Sequence, residues 1–465
     1  MPSRINHDLV TTHTSGRCWP RVAIAMALVL MLGQALNAQG PVGAEPEDKS
    51  ITAGVQKEII DSVSVALNEV YVFPDVAKKM EKHLRNLYKK DAYKNITSTR
   101  DFATRLTDDL REISNDRHLH VDYMPDEDIN GMVNDTLTDA ERERNLRARQ
   151  RNNFGFKEVK MLLGNVGYLR FDGFSDAEQA GATAVAAMNF LAYADAVIFD
   201  LRQNGGGSPS MIQLISSYLF EEPVHLNSFY IRKEDTVNQF WTQSYVQGPR
   251  MTKADVYVLT SGRTFSAAEE FTYNLKNLKR ATIVGETTGG GAHPVDGRIF
   301  ANFNLMMSLP FGRAVNPITG TNWEGTGVAP DIDVPQDQAL DVAHQDALKK
   351  MLARVEDEDQ KFQLTWAVET LESKLHPPAI DPAKLAPYAG VYGPRTISYD
   401  QGTLFYQREN NPKVRMIPMT EDLFRFEEFD YFRIKVVTDA NGVPSELVGM
   451  YDNGSSDRSP KGSLK

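Results

Sequence analysis

Apolar residues recur at helical spacing in three successive segments of the first quarter of the chain. Pro74 separates the first segment from the second, and Ser98 is placed to cap the third. We therefore predict a small helical bundle within residues 51–123. The apolar positions that mark the three helices are Val55, Ile59, Val63 and Val70; Val76, Met80, Leu84 and Leu87; and Phe102, Leu106, Leu110 and Ile113.

Strand and helix patterns alternate from Val159 onward. Short apolar runs typical of buried strands are separated by Ala-rich or amphipathic helical segments, which predicts an α/β domain with a largely parallel sheet over residues 158–335. Ligands of such domains bind at the carboxyl ends of the strands. The predicted strands are Val166–Phe171, Ala196–Asp200, Val256–Leu259 and Thr282–Val284, and the predicted helices are Ala180–Leu191 and Met211–Leu219.

The last part of the chain changes character twice. A polar, Glu-rich stretch predicts a helical connector over residues 336–376, and His376-Pro377-Pro378 then reads as a linker. Seven short strand patterns separated by Gly, Asn, Asp and Pro follow, which predicts a separate small all-β domain over residues 383–455.

One stretch carries the strongest chemical signal. Between Val256 and Gly291 an apolar run ends in turn-forming residues, and a helical pattern then begins near Ser266. A serine between a strand and a helix N-terminus is placed as a nucleophile, because free backbone N–H groups there can bind an oxyanion. Ser266 with Glu269 also matches a Ser-x-x-Glu capping box, which needs no catalysis.

Two further segments could complete a site. The run Asn115–Val121 contains His118 and His120, which would face the same side of a strand, so spacing does not choose between them. Gly205–Gly207 follow a predicted strand and allow close approach of backbone N–H groups to a ligand. They do not match the GxxxxGK[ST] pattern, which argues against a nucleotide site.

The composition limits location and partners. Arginines precede an apolar stretch at Val22–Leu32, which predicts a signal peptide over residues 1–38 and an exported, periplasmic or secreted protein. We expect no stable membrane span after its removal. The only cysteine, Cys18, lies in that segment, so no disulfide is expected. Losing three arginines and Asp8 moves the net charge from −11 to about −13, which argues against nucleic-acid binding.

Five motifs in this order resemble the tail-specific and tricorn-type serine peptidase family, in the branch of the interphotoreceptor retinoid-binding proteins. They span about Ile51–Val334 and imply a helical lead-in before a catalytic α/β core. The motifs are NDRHLHV, FDLRQNGGG, TSGRTFSAAEEF, VGETTGGGAHP and WEGTGVAPDI.

The resemblance implies a role for each matching residue. Ser266 would be the nucleophile, His118 the general base and Glu324 the acid that orients it, with Gly206 and Ala267 forming the oxyanion hole. Tail-specific members use a lysine near Thr288–Ala292, and its absence here points to the tricorn-like variant. The interval 123–158 is too short for the PDZ domain that many members carry.

The implied activity is cleavage of peptides or unfolded proteins through an acyl-enzyme, with no metal or cofactor; the oligomeric state stays open. Two alternatives remain at this stage: an esterase or amidase with the same acyl-transfer chemistry, or a non-catalytic protein that binds apolar ligands on this fold. Ser266 and His118 beyond hydrogen-bond reach, beside a large apolar pocket, would favour binding.

Overall fold

The computed structural model describes residues 48–125 and 138–462. The predicted signal peptide lies outside these described residues. Within them, no helix combines the length and the apolar character that crossing a lipid bilayer requires.

The three predicted N-terminal helices are present: α1 (Ala53–Val70), α2 (Pro74–Lys89) and α3 (Thr99–Ser114). Their apolar faces meet in one core around Val63 and Leu106. Ser98 caps α3 as predicted, since its hydroxyl accepts a hydrogen bond from the Asp101 N–H at 3.0 Å.

A three-stranded antiparallel sheet joins this bundle to the rest of the molecule. Its order is β1 (His120–Tyr123), β10 (Leu305–Pro310), β9 (Val295–Phe300). Leu305, Met307 and Leu309 of β10 enter the core of the bundle. The chain around His118 is therefore held against a hairpin that comes from far along the sequence. Between β1 and the next sheet lies α4 (Asp139–Arg151), which has no buried residue.

The predicted α/β core contains a six-stranded sheet. Its strands are β2 (Phe156–Leu162), β3 (Val166–Phe171), β4 (Ala196–Asp200), β7 (Asp255–Thr260), β8 (Thr282–Gly285) and β12 (Ile332–Asp333). Their order in the sheet is β12, β8, β7, β4, β3, β2. The first four neighbouring pairs in this order are parallel, and only the pair of β3 and β2 is antiparallel.

Helices cover both faces of this sheet. On one face lie α5 (Ala177–Phe190), α6 (Pro209–Ser217) and α7 (Ala267–Asn277). On the other lie α8 (Ala339–Arg354) and α9 (Glu358–Leu375), whose apolar residues pack on the sheet. The segment expected to be only a helical connector therefore completes the core.

Two parts of the fold were not predicted or were predicted differently. A small antiparallel sheet, β11 (Gly312–Val315), β5 (His225–Ile231) and β6 (Thr236–Trp241), was missed. The expectation that His118 and His120 share a strand is wrong, because β1 begins at His120 and His118 lies in the turn before it.

The predicted C-terminal β domain consists of two antiparallel sheets, of four and five strands, around a shared core that includes Leu404, Phe424 and Ile434. Arg433 connects it to α9, since its guanidinium lies 3.7 Å from the centre of the Trp366 ring. The strands are β13 (Gly390–Tyr392), β14 (Arg395–Asp400), β15 (Thr403–Arg408), β16 (Val414–Arg415), β17 (Ile417–Pro418), β18 (Leu423–Arg425), β19 (Phe432–Thr438), β20 (Pro444–Tyr451) and β21 (Ser456–Pro460).

Candidate active site

Ser266 occupies the sharp turn between β7 and α7, at the carboxyl end of a parallel strand. Its backbone has φ +56° and ψ −121°. A non-glycine residue at positive φ is uncommon and costs conformational energy, so the surrounding structure must hold it there. Because Ser266 directly precedes α7, it lies beside the unpaired N–H groups of a helix N-terminus.

The side chain that holds this turn is Glu269. Its buried carboxylate accepts four hydrogen bonds: from the Ser266 N–H at 2.9 Å, the Thr288 hydroxyl at 2.5 Å, the Gly290 N–H at 2.6 Å and the Gly291 N–H at 2.8 Å. The capping box that the sequence offers is thus present. It ties the serine turn to the glycine loop after β8. The capping box therefore supports the turn, and its presence is compatible with a catalytic role for Ser266.

His118 lies buried beside this turn. Its ring centre is 4.6 Å from that of Phe265, the residue before Ser266. Its Nδ1 is buried and has no hydrogen-bond partner. Burial lowers the pKa of His118 to about 4, although the charge of Asp116 opposes this shift. The ring is therefore neutral at pH 7 and able to accept a proton.

Glu324 reaches the same place from the loop before β12. Its Oε2 accepts a hydrogen bond from the Ala292 N–H at 2.6 Å, while its Oε1 is buried without a partner. A ring nitrogen of His118 and one carboxylate oxygen each of Asp116 and Glu324 all lie within 4.8 Å of one another. Burial and the nearby charge of Asp116 raise the pKa of Glu324 to about 7. The structure thus brings together the predicted base and the predicted orienting acid.

Two residues for which no role was predicted, His293 and Asp116, complete this cluster. His293 Nδ1 is 2.6 Å from Asp116 Oδ2 and 3.5 Å from Glu324 Oε2. His293 lies in the glycine loop, yet it is buried, with only 4% of its surface exposed. Burial acts against protonation of His293, but the bond to Asp116 raises its pKa on balance. In the sequence, the signal that could have pointed to His293 was its position in the segment Gly-Gly-Gly-Ala-His-Pro.

Asp116 contacts three protein groups through its carboxylate. Its Oδ1 accepts from the His118 N–H at 3.0 Å, and its Oδ2 meets His293 and the Tyr71 hydroxyl, the latter at 3.2 Å. One oxygen of Glu324 is also bonded, so His118 Nδ1 and Glu324 Oε1 are the buried atoms of this cluster that have no partner.

Gly291 shows why a lysine cannot stand at this point of the glycine loop. A Cβ added there would lie 2.2 Å from the Phe265 ring and 2.6 Å from His118 Cε1. Real Cβ atoms do not approach so closely. The space that a side chain would need is filled by the histidine and its neighbouring ring.

The expected oxyanion donors differ in their availability. The Gly206 N–H donates to Asn204 Oδ1 at 2.9 Å, so this group is already committed within its own loop. A Cβ on Gly206 would lie 2.7 Å from Ser266 Cβ, which explains the need for glycine there. Gly207 and Ala267 line the cleft beside Ser266. Within the described residues no backbone hydrogen bond uses either of their N–H groups.

The cleft beside Ser266 is narrow, about 290 Å³ including its open mouth. A larger cavity, about 1170 Å³ on the same measure, lies at the opposite end of the strands, near Gly164 and Asp195, with polar and apolar groups in similar amounts. No large apolar pocket therefore adjoins Ser266 among the described residues. Among the described residues the Ser266 hydroxyl forms no hydrogen bond with His118 or His293. The serine is therefore adjacent to the His118–Glu324 pair but not bonded to it.

Comparison with known proteins identifies the two main parts of the chain. Residues 165–334 match the model of peptidase family S41. Residues 53–148 match the model described as the N-terminal domain of Peptidase_S41 in eukaryotic IRBP.

Solved structures with similar folds include three with low sequence identity. A protein from Parabacteroides merdae is 18% identical over 65% of this chain and 99% of its own, with a TM-score of 0.46. The tricorn protease is 13% identical over 69% and 37%, with a TM-score of 0.38. The photosystem II D1 C-terminal processing protease is 21% identical over 37% and 43%, with a TM-score of 0.32, so the match spans less than half of that protein. The chain therefore contains the peptidase domain of family S41, preceded by that family's N-terminal domain.

Proposed function

We propose that this protein is an exported serine peptidase that cleaves peptide bonds through an acyl-enzyme. The observation that carries the proposal is Ser266, held at positive φ at the start of α7 and facing a cleft that Gly207 and Ala267 also line. Such a strained serine at a strand-to-helix turn is characteristic of nucleophiles. Export rests on the sequence of residues 1–38 alone.

In the proposed reaction the Ser266 hydroxyl attacks the carbonyl carbon of the scissile bond while His118 takes its proton. The tetrahedral oxyanion is stabilised by the N–H groups of Gly207 and Ala267. His118 then gives the proton to the leaving amine, which departs and leaves an ester on Ser266. Water, deprotonated by the same histidine, hydrolyses the ester and restores the enzyme.

His118 suits the role of base better than His293 does. His293 is paired with Asp116 at 2.6 Å, which favours its protonated form, and a protonated imidazole cannot accept a proton. His118 is neutral, and its free Nδ1 leaves it able to donate to the unpartnered Oε1 of Glu324. A small closure on substrate binding would make this bond and the bond from Ser266, since such contacts often tighten only in the substrate complex.

The alternatives are less well supported. A carrier of apolar ligands needs a largely apolar pocket. The cleft at Ser266 is narrow, and the larger cavity is distant from it and only about half apolar. An esterase or amidase would use the same groups as the peptidase, and only substrate profiling separates them.

Labelling with a fluorophosphonate probe tests the proposal. We expect the probe to modify Ser266 in the protein lacking residues 1–38, and the Ser266→Ala variant to remain unlabelled. A peptide library and a set of simple esters then decide between peptidase and esterase. A folded sample that stays unlabelled between pH 6 and 9 would overturn the assignment of Ser266 as an activated nucleophile.

A further inference from the structure

A second glutamate of α7 has no evident structural task. Glu270 is 3% exposed, and it lines the cleft together with Ser266. Within the described residues it forms no ion pair, whereas its neighbour Glu269 accepts four hydrogen bonds. Burial raises the pKa of Glu270 to about 7. An acid buried without a cation is costly, which makes its place at the nucleophile's cleft informative.

The two asparagines next to Glu270, Asn227 and Asn274, also lack some of their hydrogen-bond partners. Asn227 and Asn274 are fully buried and lie close enough to the carboxyl group to lower its pKa by hydrogen bonding. Even so, both side-chain amide atoms of Asn227 and the Nδ2 of Asn274 lack a partner with good hydrogen-bond geometry. Buried polar groups without partners are rare in native proteins, and a missing ligand is one explanation for them.

The walls of the cleft are apolar. Pro209, Phe229 and Trp323 line it together with Glu270. The Trp323 ring is fixed, because its Nε1–H donates to the Gly291 carbonyl at 2.7 Å. Apolar walls that lead to a buried carboxyl group match a side chain with a methylene stem and a cationic end.

We propose that this cleft receives the substrate side chain on the acyl side of the scissile bond, and that Glu270 selects lysine or arginine there. This inference rests on the proposed peptidase function. The cationic end would meet the carboxylate of Glu270, and Asn227 and Asn274 would stabilise that carboxylate. The other charged group of the cleft, His293, is already balanced by Asp116, so it does not neutralise Glu270.

The test compares peptides that differ only at the residue before the scissile bond: lysine, methionine or glutamate. We expect the wild type to cleave after lysine with a kcat/KM at least about 100-fold higher than after methionine, since a polar site left unpaired rejects an analogue strongly. In Glu270→Gln this ratio should fall below about tenfold. Glu222→Gln, which removes an exposed acid, is the matched control and should keep the wild-type ratio.

Failure of this inference is distinguishable from failure of the proposed function. The fluorophosphonate probe carries no lysine, so labelling of Ser266 in the wild type reports the nucleophile independently of any preference for lysine. Labelling without a preference for lysine in the wild type overturns the role of Glu270 and leaves the peptidase intact. Absence of labelling in folded wild type overturns both.

A second variant guards against misfolding. Glu270→Asp keeps the charge and should retain the preference for lysine at a lower kcat/KM, with folding monitored by thermal unfolding. If Glu270→Gln is folded and keeps the full preference, or if Glu222→Gln loses it equally, Glu270 does not select the substrate.

Discussion

Two histidine and carboxylate pairs lie side by side near Ser266, and they are built differently. His293 and Asp116 are a closed pair, 2.6 Å apart, and two further protein donors bond to the aspartate. His118 and Glu324 are an open pair. Each retains one buried atom without a partner, Nδ1 and Oε1 respectively.

The pKa values follow this difference. In the closed pair the attraction between partners raises the pKa of His293 and lowers that of Asp116, so the pairing favours the charged form of each. In the open pair burial lowers the pKa of His118 to about 4 and raises that of Glu324 to about 7. One pair can stabilise the fold, and the other is free to transfer a proton. Neighbouring groups whose pKa values are driven apart mark such a division of roles.

The largest expected effect comes from removing the open histidine. His118→Ala should lower kcat/KM by about 10⁴-fold or more, because the loss of one member of a catalytic group removes nearly all of its contribution. Probe labelling of Ser266 should fall with it. The matched control is the closed histidine: a folded His293→Ala variant should label faster than His118→Ala, and the reverse order would exchange the two roles.

The orienting acid should show itself in the pH dependence. Since the carboxylate of Glu324 forms as pH rises through about 7, wild-type kcat/KM should increase over that range. Glu324→Gln should be slower by about 10³-fold and should lose this increase, because an amide does not titrate. Rates measured between pH 5 and 9 on one peptide test this. An unchanged increase in the variant would assign it to another group.

The closed pair should matter for stability. Asp116→Asn breaks a buried ion pair, which costs about 3–5 kcal/mol of unfolding free energy. Asp116 stabilises above its unfolded pKa of 3.8, and this contribution is lost as pH falls through its lowered folded pKa. His293 stabilises below its unfolded pKa of 6.5, and this contribution is lost as pH rises through its raised folded pKa. The loss of unfolding free energy in Asp116→Asn should therefore be greatest between pH 3.8 and pH 6.5. Urea unfolding at pH 5, with the exposed Asp108→Asn as control, measures it.

The smallest effect is expected for His120, which spacing in the sequence did not distinguish from His118. His120 is partly exposed, and its Nδ1 contacts the His118 carbonyl at 2.8 Å. His120→Gln should change stability by less than about 1 kcal/mol and leave probe labelling of Ser266 nearly unchanged. A loss of labelling comparable to that in His118→Ala would contradict the assignment of the base.

Local patterns predicted the elements but not their partners. The helices around Val63 and Leu106 and the strand before Ser266 were predictable because their apolar spacing reports which face is buried. The small sheet at His225–Ile231 was missed, since its pairing with β11 joins distant segments. The helices of residues 339–375 were recognised as helices, but a polar, Glu-rich sequence did not show that one face packs on the sheet.

The site divides in the same way. The sequence by itself determined the α/β core, the turn that carries Ser266 and, through motif order, the choice of His118 and Glu324 as candidates. Tertiary structure alone decided that His293 and Asp116 join them, that the Gly206 N–H is already used, and that Glu270 faces the cleft while Glu269 supports the turn. The physical reason is that burial, pairing and charge depend on distant segments brought together, such as Asp116 and His293, which are 177 positions apart, and no local pattern records this.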